Sequence, residues 1–395
     1  MPLTSRQQDF AFKALDAFAI ELPSWGFANT GTRFGKFIQA SAATTTAEKI
    51  ADAGQVHKVT GCCPTIATHV LWDYPNGVAD VESLDACAKK HGIRIGAINP
   101  NVFQELEYKL GSVCNPDPAV RRRAIGHLQE CVEVAQATGS TILSLWFADG
   151  TNYPGQDSIA RRQDCMAEAL AAVYETLPVG MRLLLEYKFF EPAFYSTDVP
   201  DWGTSFAHCI RLGERAQVLV DTGHHAPGTN IEFIVAVLLR AGKLGGFHFN
   251  SRFYADDDLM VGAADPFQLF RIMNEIVAAS ALGAEGGVAF MLDQCHNLEP
   301  KIPGEIRSVM NVQEATAKAL LVDRDALRES QEAGDVLGAH GVLMDAYNTD
   351  VRPILAEVRE EMDLDPDPLA AYARSGYAEQ IIGARAEGAQ AGWGR

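Results

Sequence analysis

One feature constrains this chain more than any other: strand-length apolar runs alternate with helix-length stretches. The runs are Trp25–Ala28, Ile66–Leu71, Arg94–Ile98, Thr141–Phe147, Arg182–Glu186, Gln217–Asp221, Gly245–Phe249 and Gly286–Leu292. Several of them, such as TILSLWF and RLLLE, stay apolar throughout, as strands buried on both faces require. Helical stretches lie between them at Ala47–Ala53, Val81–His91, Ala119–Ala137, Ser158–Thr176, Thr204–Gly213, Ile231–Ala241 and Pro266–Ala281. Gly92, Gly139, Gly242 and Gly283 follow helices, where a left-handed residue ends the spiral. Such alternation predicts an α/β fold, a parallel sheet closed into a (β/α)8 or TIM barrel. A barrel takes about 250 residues. A catalytic barrel over 1–300 is therefore expected, with a helical extension over 301–395. In that extension Asn311–Val322, Arg324–Ala333, Val342–Tyr347 and Val351–Met362 read as helices, Pro366 and Pro368 break the run, and the last residues read as a frayed tail. An extension too short for its own core is expected to pack on the barrel or on a neighbouring subunit.

A barrel places its active site at the C-terminal ends of its strands. The fifth run ends in Glu186, followed by Tyr187 and Lys188. The sixth ends in Asp221, ahead of Thr222, Gly223 and His224. The seventh carries His248 and leads to Asp256, Asp257 and Asp258; the eighth leads to Asp293. Each acid alone reads as a helix cap or an ion-pair partner. Together, four consecutive strands deliver anions to one mouth, where desolvation and mutual repulsion forbid them to stand unpaired. Divalent cations remove that conflict. The ligands are too many for one ion, so two are expected, with Asp221 central enough to bridge them. Oxygen and imidazole donors suit Mn²⁺, Mg²⁺ or Co²⁺. His225 is a rival to His224 on composition. Lys188, two residues beyond Glu186, can face the same way on an extended segment and polarise a substrate oxygen. His69 ends the second run and could shuttle a proton. Trp25, Trp72 and Trp146 stand near run ends and could wall a sugar pocket.

The balance of 33 Lys+Arg against 51 Asp+Glu leaves a net charge of −18, which repels a phosphate backbone and argues against nucleic acid. No apolar run reaches the ~18 residues of a membrane span, and MPLTSRQQDF lacks a secretory apolar stretch, so a cytoplasmic protein is expected. Eight cysteines follow no C-x-x-C or disulfide spacing, which suits a reducing compartment.

Eight segments carry a resemblance: GTRFGKF (31–37), ATHVLWDYP (67–75), INPNVFQ (98–104), SLWFADGTNYPGQ (144–156), LEYKFFEPAFYSTD (185–198), VDTGHHAPGTNIE (220–232), GFHFNSRFYADDDL (246–259) and MLDQCHN (291–297). In order and spacing they resemble the aldose–ketose isomerases of the xylose isomerase-like barrel superfamily, nearest to the broad-specificity bacterial L-rhamnose isomerases. The resemblance implies that Glu186, Asp221, His248 and Asp293 bind a structural metal. It implies that His224, Asp256 and Asp258, sharing Asp221, bind a catalytic one. It places Lys188 at the substrate's reacting end and ties His69 to ring binding and opening. Asp258 joins these two as a candidate catalytic residue. Trp25 and Trp146 become pocket walls, and Phe34 reaches a neighbouring subunit's pocket, implying a homotetramer or at least a dimer. Arg252 and Phe253 depart from the family pattern, which has a polar or smaller pair there.

The expected reaction interconverts L-rhamnose and L-rhamnulose, with other aldoses such as D-allose accepted, by a hydride shift or a cis-enediol. The alternative is a ketose 3-epimerase, whose chemistry favours two glutamates on one metal, whereas Glu186 is the one Glu among these mouth acids. An endonuclease and a non-catalytic sugar-binding barrel are the remaining readings. The charge argues against the first, and the inward acids argue against the second.

Overall fold

A computed structural model describes residues 5–29, 38–191, 194–282, 287–295 and 298–385. Helix α1 (Ser5–Asp16) precedes strand β1 (Leu22–Pro23). Then follow α2 (Thr46–Thr60), β2 (Thr65–His69), α3 (Val81–Lys90), β3 (Arg94–Asn99), α4 (Pro118–Thr138) and β4 (Ile142–Leu145). The chain continues through β5 (Gly150–Thr151), α5 (Ile159–Tyr174), β6 (Arg182–Glu186), β7 (Ser196–Thr197), α6 (Trp202–Leu212) and β8 (Ala216–Asp221). Next come α7 (Ile231–Arg240), β9 (Leu244–Phe249), α8 (Pro266–Ala278) and β10 (Ala289–Leu292). Six helices follow: α9 (Lys301–Leu320), α10 (Arg324–Glu332), α11 (Val336–Tyr347), α12 (Arg352–Glu361), α13 (Pro368–Arg374) and α14 (Tyr377–Arg385).

Eight strands pair in the order β1-β2-β3-β4-β6-β8-β9-β10, every pair parallel. The ring closes where Glu21 donates its amide to Phe290 O (2.8 Å) and accepts from Leu292 N (2.9 Å). The architecture is the (β/α)8 barrel read from the alternation, with helices beyond it. The short strands β5 and β7 form a separate antiparallel clasp at the mouth.

Burial follows the two-residue period of the strands. Leu183, Leu185, Val218, Val220, Phe247, Phe249, Phe290 and Leu292 face the helices in the main core. Ala67, Ala97, Leu184, Leu219 and Met291 fill the barrel interior with Trp25 and Trp72. Glu21 enters that interior because Gly96 has no side chain, and a Cβ there would lie 1.5 Å from Glu21 Oε2.

The structure corrects the first strand. Trp25–Ala28 is not extended: Ser24–Phe27 is a 3₁₀ turn, and the pairing strand is Leu22–Pro23 just before it. Pro23 can give the ladder no N–H, so the strand stops there. The segment Gly286–Leu292 pairs over Ala289–Leu292, and Gly286 lies outside the described residues. Pro366 and Pro368 end one helix, but Pro368 also starts another, standing in the first turn of α13 where its missing N–H costs nothing, with Asp367 as the cap.

Helix α9 packs between α8 and α2, the place of the eighth barrel helix. Helix α1 lays Ala11 and Leu15 against Ala317, Leu320, Val351, Ile354, Leu355 and Val358. Helix α14 is tied to α2 by Arg385, whose Nη1 and Nη2 donate to Asp52 at 2.8 and 2.9 Å. Among the described residues no helix is long and apolar enough to cross a membrane.

Candidate metal centre

The strand period that buries Leu184, Leu219 and Met291 inward turns Glu186, Asp221 and Asp293 the same way, two residues on. His248 lies between Phe247 and Phe249, which face the helices, so it also points in. Glu186, Asp221, His248 and Asp293 offer ligand atoms all within 4.8 Å of one another. His248 Nδ1 lies 3.1 Å from Glu186 Oε2 and 3.5 Å from Asp293 Oδ2. The other oxygen of Glu186, Oε1, lies 3.1 Å from His224 Nδ1. His224 Nε2 lies 3.1 Å from Asp256 Oδ1 and 4.0 Å from Asp221 Oδ2. Adjacent donors around a small dication stand about 3.0 Å apart when its bonds are about 2.1 Å. The spacing of Glu186, Asp221, His248 and Asp293 therefore fits a divalent cation.

The electrostatics point the same way. Burial, with Glu186 and Asp293 adding to it, pushes Asp221 up to about 7. Burial, then Asp256, Asp293 and Asp221, drives Asp258 well above the carboxylate range. Burial raises Asp293 too. Glu186 is buried as well, but His248 and His224 outweigh that and hold it at about 2. Burial alone would lower His248; Glu186 outweighs it and lifts it to about 9. The acids that crowd one another are the ones pushed up, an imbalance that divalent cations would relieve.

Local structure fixes these side chains. Asp221 accepts Gly223 N at 2.6 Å and Asn250 Nδ2 at 3.0 and 3.1 Å. Trp25 Nε1 donates to Asp293 Oδ1 at 2.7 Å. His224 Nδ1 donates to Tyr187 O at 3.0 Å, leaving Nε2 toward Asp256. His225 turns away and shares a 2.6 Å hydrogen bond with the Tyr187 hydroxyl, which separates the two candidate histidines. Asp256 and Asp258 both hold left-handed φ (52° and 48°), a strained state that non-glycine residues keep where the surroundings enforce it.

Lys188 is buried beside these groups, with Nζ 2.7 Å from Asp256 Oδ2 and 2.8 Å from Glu191 Oε2. It lies 5.0 Å over the Trp146 ring. The wall continues through Phe103 (5.0 Å from Trp146), Trp72 and His69. Trp25 meets His69 edge to face at 4.9 Å. Burial holds His69 down at about 3, so its imidazole is neutral. Asp73 supports this edge by accepting Ser24 Oγ (2.6 Å), His69 N (2.9 Å) and Lys49 Nζ (2.8 Å). Phe34 lies outside the described residues.

Sequence reasoning passed over Asn250, Phe103, Asp73, Glu191 and Cys295. Each stands within or beside a quoted segment just past a strand end, which was the available signal. Cys295 Sγ donates to Asp258 Oδ2 at 3.0 Å. A further acidic group, Cys114, Asp149 and Asp198, also has metal-like spacing. The Arg162 guanidinium already serves it, with Nη2 2.7 Å from Asp198 Oδ2.

Residues 66–287 match the family described as xylose isomerase-like TIM barrel. The chain is similar to a probable sugar isomerase of Mesorhizobium japonicum, at 44% identity over 94% of this chain and 87% of that one. It is similar to another of Rhizobium meliloti, at 42% over 96% and 89%. Its fold is similar to that of L-ribulose 3-epimerase, with a TM-score of 0.54 and 16% identity over 77% of this chain and 97% of that one.

Proposed function

The chain belongs to the xylose isomerase-like TIM-barrel family, and from that premise we propose an aldose–ketose isomerase working with two divalent cations. L-rhamnose and L-rhamnulose are the proposed pair, with other aldoses such as D-allose accepted. Mn²⁺ is the proposed ion, with Co²⁺ or Mg²⁺ as alternatives. Glu186, Asp221, His248 and Asp293 would hold one ion; His224, Asp256 and Asp258, with Asp221 shared, would hold the other. The observation that carries the reading is Glu186, whose two oxygens reach His248 and His224 and so join two ligand groups side by side. The likeness to two sugar isomerases over nearly the whole chain supports it.

When bound, the cations supply Lewis acidity that polarises substrate oxygens. The chain's own groups do the rest. Lys188 offers an ammonium hydrogen bond to the oxygen at the reacting end. Neutral His69 is too weak a base at its resting value to hold a proton, so its proposed part in ring binding and opening is a hydrogen bond to a sugar oxygen or hydroxyl. Asp258 is the candidate carboxylate for proton transfer in an enediol route. Trp146, Trp25 and Phe103 give flat apolar faces to the sugar and keep water from it. We also propose a cytoplasmic homotetramer. Eight unpaired cysteines suit a reducing compartment, and the exposed Val336 and Leu337 suit subunit contact through 301–395.

The second reading is a ketose 3-epimerase, and it is the one that the structural likeness favours. Against it, the first ligand group contains Glu186 with two aspartates instead of a second glutamate. One experiment separates them: aldoses and D-fructose are incubated with Mn²⁺ or with chelator, and products are resolved by chromatography. Ketose from an aldose, abolished by chelator, supports the isomerase. A C3 epimer of fructose without aldose supports the epimerase. No product in either direction overturns both.

A further inference from the structure

Lys188 sits between two carboxylates of different kinds. Asp256, 2.7 Å away, belongs to the second proposed ligand group and also meets His224. Glu191, 2.8 Å away, lies on the segment leaving β6, and the ligand set has no need of it. Lys188 is 9% exposed and Glu191 20%, so the ammonium is the more deeply set partner. A buried ammonium without a counter-ion is costly. A cation gripping Asp256 would take away the charge on which Lys188 leans and would repel the ammonium as well. Glu191 is the second anion within contact, and leaning on it lets Nζ stay above the Trp146 ring.

We propose that Glu191 is a positioning residue: it keeps Lys188 seated while Asp256 is released to a divalent cation. The inference rests on the two-cation reading of Asp256. It explains why the lysine has two carboxylates in contact, one from the ligand group and one from outside it.

The test is Mn²⁺ binding, read from the electron paramagnetic resonance of free ion and independent of turnover. Glu191→Gln keeps the shape and removes the charge, so Lys188 leans wholly on Asp256. Its second Mn²⁺ should bind on the order of tenfold more weakly, the usual size of a coupling between sites. Lys188→Met removes the competitor, and its second Mn²⁺ should bind more tightly than in the parent. The double variant should match Lys188→Met, because Glu191 acts through the lysine. Circular dichroism checks that each variant is folded, and the half-set Glu191→Gln decides the matter even if Lys188→Met is not. Unchanged affinity in Glu191→Gln overturns the inference, as does an equal loss in the Lys188→Met background. Fewer than two ions on the parent chain would overturn the two-cation reading itself and this inference with it; two ions with an unaffected Glu191→Gln would overturn the inference alone.

Discussion

Replacing Arg162 with Met should destabilise the protein by about 4 kcal/mol at neutral pH, within the 3–5 kcal/mol range for breaking a buried pair. The side chain is 1% exposed. Its Nε reaches both oxygens of Asp198 at 3.0 Å, and Nη2 reaches Oδ2 at 2.7 Å. Its Nη1 donates to Leu110 O (3.2 Å) and Cys114 O (3.3 Å). Methionine fills much of the volume and leaves a carboxylate and two carbonyls stranded. Against a total of about 5–15 kcal/mol the loss is severe. Guanidinium unfolding at pH 7 and pH 5 gives the assay. Burial already raises Asp149, and Asp198 adds to that. A raised folded-state carboxyl costs stability above its pKa and returns it as pH falls toward it. In the variant Asp149 also loses the nearby guanidinium, so its protonation brings more relief than in the parent. The gap to the parent should therefore narrow from pH 7 to pH 5. A loss below about 1 kcal/mol, the level of an exposed pair, would refute the reasoning, as would a gap that widens on acidification. Turnover should fall too, since Asp198 N donates to Asp149 O in the β5–β7 clasp next to Lys188.

Other substitutions and conditions probe the mouth. Trp25→Phe removes the indole donor to Asp293 and should weaken Mn²⁺ binding about 10–100-fold, as other supports behind metal ligands do; an unchanged calorimetric affinity would dismiss the indole. Chelation should lower the thermal midpoint and Mn²⁺ restore it, by about 4 kcal/mol at free ion 1,000-fold above Kd; superimposable calorimetric traces would argue against a resident ion. Burial would raise Asp73, but Lys49 outweighs it and holds the carboxyl below its ordinary value. That group stabilises the fold above the unfolded value of about 3.9, and its contribution is lost as pH falls through the lower folded value. Asp73→Asn should thus lose stability at pH 7 and show a flatter decline below about pH 4, and an acid limb as steep as the parent's would count against the Lys49 pair.

The fold was legible because parallel strands in a barrel are buried on both faces and show as unbroken apolar runs. The first strand was not, because Leu22–Pro23 is two residues long and the apolar residues after it turn into a 3₁₀ helix. Helix α1 was missed because its seat lies far along the chain, where local pattern says nothing. At the site, Glu186, Asp221 and Asp293 could be found because a strand end fixes the direction of a side chain. Spacing favours His224 over His225 only weakly, and the resemblance carries the choice; the Tyr187 hydroxyl and carbonyl that orient the two rings apart are not visible in any spacing. The groups that orient Asp221 and Asp293, which are Asn250 and Trp25, depend on contacts 29 and 268 residues apart.

The closing bonds of the ring, Glu21 with Phe290 and Leu292, set a timetable for synthesis. A growing chain emits its first helix and first strand early; the strand finds β2 soon after, but its second neighbour β10 and the helix's full seat emerge much later. Until Val351–Val358 have left the ribosome, the apolar side of residues 11–15 has only the Ala317–Leu321 half of its seat to occupy. Nascent chains arrested before that point should leave this opening helix open to protease, while finished chains protect it.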